Sequence, residues 1–83
     1  MNTRELTDEH LEVITRYATG LFQYGMDGAE VYANIESYCY DNYRISITQE
    51  QATRVYDVAL FASFNPSSPH LDTIISLVSG EQS

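Results

Sequence analysis

Met26-Asp27-Gly28-Ala29-Glu30-Val31 compresses a helix start into six residues. Asp27 offers a carboxylate to backbone N–H groups that have no partner within the first turn. Glu30 stands three positions on, where its side chain can reach back to the cap, and Met26 with Val31 makes an apolar staple across it. The same grammar stands upstream in Leu6-Thr7-Asp8-Glu9-His10-Leu11. There Thr7 caps, Leu6 pairs with Leu11, and Asp8, Glu9 and Glu12 set negative charge against the helix dipole. It returns downstream in Ile47-Thr48-Gln49-Glu50-Gln51-Ala52, with Thr48 as cap and Gln51 as reciprocal partner. Each start is followed by apolar residues at helical spacing, so the chain reads as helical.

The first apolar stripe is Leu11, Ile14, Ala18, Leu21 and Phe22, stopped by Gly25. The second is Val31, Ile35, Tyr38 and Cys39. The third is Ala52, Val55, Tyr56, Ala59 and Ala62 or Ser63, stopped by Asn65-Pro66. Glu12 with Arg16 and Glu50 with Arg54 are favourable i,i+4 pairs. Ser68-Pro69 is a fourth start, with proline at the first helical position, and Leu71, Ile74, Ile75 and Val78 follow before Gly80. The prediction is an all-α single domain spanning residues 1–83, with four short helices at about 8–24, 28–42, 49–64 and 69–79. Connections this short set neighbouring helices antiparallel or at a steep angle.

Only Tyr43-Arg44-Ile45-Ser46-Ile47-Thr48 departs from the helical pattern. It alternates apolar with polar and is β-branched, as strands are, but a lone strand has nothing in this chain to pair with. The expectation is a short extended segment at 43–47 whose Ile45 and Ile47 plug the core.

Leu, Ile, Val and Phe make up 20 of the 83 residues, above the roughly 20% below which disorder is the better reading. Twelve acidic residues face four basic ones, all arginine, for a net charge of −8. Direct nucleic-acid binding and docking on anionic lipid both draw on cations, so neither is expected. The N-terminus has no apolar h-region, and the longest unbroken apolar run, Val58 to Ala62, is five residues, far below the roughly 20 of a membrane span. The expected location is the cytoplasm.

Signatures of catalysis are missing. One cysteine, Cys39, excludes an internal disulfide and a cysteine-built metal site, and His10, His70 and Cys39 show no ligand spacing. Both histidines read as solvated polar residues. Cys39 falls on a core stripe, with no cation nearby to stabilise a thiolate. The cluster Asp8, Glu9 and Glu12 is explained by capping, and four glycines build no phosphate-cradling loop. The expectation is a non-enzymatic protein without catalytic residues, metal or cofactor.

What the core leaves over is tyrosine. Of seven tyrosines, Tyr32, Tyr38, Tyr40 and Tyr43 lie on or just after the second helix. Tyr32, Glu36, Tyr40 and Tyr43 form a stripe at spacings of 4, 4 and 3, with Glu30 and Asp41 on the next face. About half of the rings are expected to cover the core; the others supply large contact area for few rotatable bonds. Rings beside carboxylates suit a basic partner, because arginine stacks on the one and pairs with the other. The candidate partner-binding residues are therefore Tyr32, Glu36, Tyr40 and Tyr43 at the centre, with Glu30 and Asp41 on the rim. The first helix start, with Glu5, Asp8, Glu9 and Glu12, is the second choice.

In its size, its −8 balance, its lone Cys39 and its tyrosine-rich run from Tyr32 to Tyr43, the chain resembles the small acidic inhibitors that phages and other mobile elements make against bacterial defence, anti-CRISPR proteins in particular. That resemblance implies a protein that binds a CRISPR effector and blocks its access to DNA, acting in the host-cell cytoplasm if phage-encoded. Two other classes fit the same composition: an antitoxin or co-regulator that neutralises a basic partner, and a self-associating subunit whose tyrosine stripe is a homodimer seam.

Overall fold

The computed structural model describes residues 6–65 and 71–79. They form helices α1 (Asp8–Tyr24), α2 (Gly28–Tyr43), α3 (Gln49–Ser63) and α4 (Leu71–Ser76), with a closing 3-10 turn at Leu77–Ser79 and no strand among the described residues. The all-α expectation holds, and the first three helices begin at the predicted positions. The Ser68-Pro69 start, His70 and the Gly80 stop lie outside the described residues.

Two of the three caps close as reciprocal boxes. The Thr7 hydroxyl accepts the His10 N–H at 3.1 Å, while His10 Nδ1 accepts the Thr7 N–H at 3.2 Å. Thr48 and Gln51 make the same exchange at 3.0 and 3.3 Å. The middle cap is simpler than expected: Asp27 accepts from the Ala29 N–H at 3.2 Å, one residue earlier than a box requires, and Glu30 stays exposed. His10 is thus a capping group and not merely a solvated side chain, which corrects the sequence expectation. A histidine with a lone pair on Nδ1 can do the work that glutamate or glutamine usually does at this position.

The helix ends differ in kind. Gly25 adopts φ 102°, and the Gly25 and Met26 N–H groups bond back to the Phe22 and Leu21 carbonyls at 3.0 Å. This is a Schellman ending, in which a residue without Cβ enters the left-handed region freely. α2 runs one residue past its predicted end and stops at Arg44, which takes φ 57° and donates its N–H to the Tyr40 carbonyl at 2.9 Å. α3 stops at Ser63, one residue short of the predicted end. The extended segment expected at 43–47 begins later than that, because Tyr43 is still helical and Arg44 is left-handed; residues 45–48 have no regular secondary structure, and Ile45 and Ile47 pack half-buried against the core as expected.

α1 and α3 share the most extensive interface in the molecule. The buried faces explain it: Thr15, Ala18 and Thr19 on α1 and Ala52, Ala59 and Ala62 on α3 are small, so the two backbones approach closely. Thr15 and Thr19 were not expected in the core. Each satisfies its hydroxyl by donating to the carbonyl one turn back, to Leu11 at 2.7 Å and to Thr15 at 2.8 Å, so burial leaves no polar atom unpaired. Leu6, Leu11, Ile14, Val31, Ile35, Cys39, Val55, Ile75 and Val78 complete the buried set among the described residues. α2 packs on both α1 and α3, whereas α4 and the 3-10 turn cover another part of that pair and do not touch α2. Among the described residues nothing packs on the outer side of α2, where Glu36, Ser37, Tyr40 and Asp41 are exposed.

Candidate protein-binding face on helix α2

Most of the rings are structural. His10 of α1 stacks on Tyr43 of α2 at 4.2 Å, and Tyr17 of α1 stacks on Tyr38 of α2, also at 4.2 Å. Tyr43 meets Tyr38 edge-on at 6.4 Å, which joins the two stacks. Along this seam position 10 faces 43 and 17 faces 38, so α1 and α2 run antiparallel. Asn34 ties off its upper end: its amide donates to the Glu30 carbonyl at 2.8 Å, and its Oδ1 accepts from the Tyr17 hydroxyl at 3.5 Å. A second cluster joins Phe22, Tyr32 and Tyr56, with centroids 5.3 Å and 6.2 Å from Tyr56.

The predicted stripe is consequently divided. Tyr32 and Tyr43, at its two ends, are half-buried and pack against the core. Between them Glu36 is exposed and Tyr40 keeps 50% of its surface in solvent. Glu36 and Tyr40 share an open groove of about 360 Å³ with Ser37, Asp41, Ser46 and Ile47. Asp41, assigned to the rim from sequence, thus stands with the central pair, and Glu30 is exposed further up the same helix. The helix dictates this grouping: residues 36, 37, 40 and 41 lie one turn apart on one face. Residues 46 and 47 return alongside because the linker folds back under Cys39, whose thiol donates to the Ile45 carbonyl at 2.9 Å.

The face is acidic throughout, since Glu30, Glu36 and Asp41 are the only formally charged residues between positions 28 and 43. A cation stands at its edge, Arg44, whose guanidinium carbon lies 5.5 Å from the centroid of the Tyr40 ring. Helical spacing places Ser37 on the acidic edge with Glu30 and Asp41, but sequence reasoning missed Ser46, Ile47 and Arg44 as members of this face. Those three depend on where the linker turns.

Beneath the groove, burial pushes the Cys39 thiol above its ordinary 9.0, and the Ile47 backbone N–H offsets part of that rise. Burial also raises the Tyr43 phenol above 10.0, and Tyr38, Cys39 and Glu9 add in the same direction. Neither group is prepared for nucleophilic or acid–base work near neutrality. Among the described residues no three His, Cys, Asp or Glu side chains converge to hold a metal ion, and no helix is long and apolar enough to cross a membrane. The second-choice patch consists of Asp8 and Glu9, both exposed, and the half-buried Glu12; Glu5 lies outside the described residues. No protein-family model, no curated protein and no solved structure matches this chain.

Proposed function

We propose that this chain is a non-enzymatic inhibitor that covers a basic, nucleic-acid-binding surface on another protein. The observation supporting it is the outward Tyr40, flanked by Glu36 and Asp41, around a groove on a helix whose outer side no other element covers among the described residues. Tyr40 supplies contact area at low conformational cost, and the carboxylates draw in a cationic surface and speed encounter. Tyr32 and Tyr43 serve the face by anchoring α2, and Glu30 belongs to its rim. Nucleic-acid channels are lined with cations, and the compositional resemblance to anti-CRISPR proteins makes a CRISPR effector in the host cytoplasm the first partner to test.

The experiment is a DNA-binding assay with purified effector complexes at low and moderate salt. The expected result is a stable complex that no longer takes up target DNA, with Tyr40→Ala weakening it by more than about 1 kcal/mol. Glu36→Gln and Asp41→Asn should mainly slow association and flatten its salt dependence. If every effector binds DNA equally well with the protein present, the effector reading fails. An antitoxin role would show the same residue dependence against a basic toxin.

Self-association is the second reading, and it is favoured by Phe61 and Phe64, exposed at 55% and 73% near the end of α3. Size-exclusion with light scattering decides it: a dimer at micromolar concentration that Phe64→Ser converts to monomer would place the working surface there instead.

A further inference from the structure

We infer that the α2 groove selects arginine over lysine, seating a partner's guanidinium on the Tyr40 ring with Glu36 and Asp41 as its carboxylate partners, and that the chain's own Arg44 covers this ring until the partner displaces it. The inference rests on the reading of α2 as the contact face and adds the side chain it recognises.

Arg44 already places its guanidinium carbon 5.5 Å from the Tyr40 centroid, within cation–π range. A guanidinium is planar and weakly hydrated, so it can lie on a ring while its N–H fork reaches carboxylates; an ammonium keeps its water and offers only a point charge. The groove supplies both halves. Tyr40 is the platform, Glu36 and Asp41 are acceptors, and Ser37 and Ser46 add hydroxyl oxygens for the remaining N–H groups. Ile47 gives the aliphatic stem an apolar surface.

Arg44 holds its position from a left-handed backbone at φ 57°, which side-chain-bearing residues disfavour. Its ring contact, made from an exposed residue to a half-exposed ring, is of the weak class that a better-placed guanidinium can replace.

The test is titration of the full chain, at low salt, with two synthetic peptides of equal length and charge, one alternating glycine with arginine and the other glycine with lysine. Circular dichroism of each variant confirms that it is folded. The arginine peptide should bind about fivefold tighter than the lysine peptide, and Tyr40→Leu should remove that preference. Arg44→Gly should raise arginine-peptide affinity by about threefold beyond any change for the lysine peptide. Equal affinity for the two peptides, or a preference that survives Tyr40→Leu, overturns the arginine inference while leaving the cationic-partner reading intact. An Arg44→Gly chain with no such gain removes Arg44 from the site. Failure to bind either peptide overturns both the inference and the reading beneath it.

Discussion

A Cβ on Gly28 would clash with the Tyr56 hydroxyl. Tyr56 cannot swing away freely, because its ring meets Phe22 edge-on at 5.3 Å and Tyr32 at 6.2 Å. Glycine at the first position of α2 therefore answers to a close approach from α3. Alanine is ordinarily the better helix residue by about 1 kcal/mol. Here Gly28→Ala should instead lower stability by about 1 kcal/mol through overpacking, read as a fall in the urea midpoint. Adding Tyr56→Phe, which deletes the obstructing oxygen, should restore most of it. A more stable Gly28→Ala protein would mean that the contact is slack.

Arg44 is the only non-glycine residue with positive φ among the described residues. Arg44→Gly removes the steric cost of that conformation and gives up one exposed cation–π contact. The first effect is the larger, so stability should rise by about 0.5–1 kcal/mol. A fall in the thermal midpoint would show that the ring contact outweighs the backbone strain.

The division of labour among the tyrosines separates by stability. Tyr40 stands half in solvent, and Tyr40→Ala should change stability by no more than about 0.5 kcal/mol. Tyr38 stacks on Tyr17 and abuts Tyr43, so Tyr38→Ala should cost about 2–3 kcal/mol. Chemical denaturation of the two variants side by side checks this. Should Tyr40→Ala melt the fold, its ring belongs to the core and the assigned face is wrong.

Alkaline pH should destabilise the fold through Cys39 and Tyr43. Both are neutral acids whose folded pKa values lie above the ordinary 9.0 and 10.0, chiefly because burial disfavours their charged forms. The folded state holds these protons more tightly than the unfolded one. Their contribution is therefore fully present below pH 9.0 and is lost as pH rises through the folded values. Thermal midpoints measured from neutral pH upward should fall beyond pH 9.0, and Tyr43→Phe should make the upper part of that fall shallower. A midpoint that stays level well above pH 10 would contradict the burial of both groups.

The sequence by itself determined where α1, α2 and α3 start, because a cap is chemistry among residues three or four apart. Thr7, Asp27 and Thr48 each take a nearby backbone N–H whatever the rest of the chain does. It also determined most of the buried stripes, since helical spacing alone gathers Leu11, Ile14 and Ala18 or Val31, Ile35 and Cys39 on one side. Helical spacing equally placed Tyr32, Glu36, Tyr40 and Tyr43 on one stripe, but it could not say how that stripe would be turned. Only the tertiary structure decided that Tyr32 reaches Tyr56, that Tyr43 lies on His10, and that Tyr40 is left outward with Arg44 beside it. The physical reason is separation along the chain. Position 10 meets 43 and position 32 meets 56 only after α1, α2 and α3 have packed.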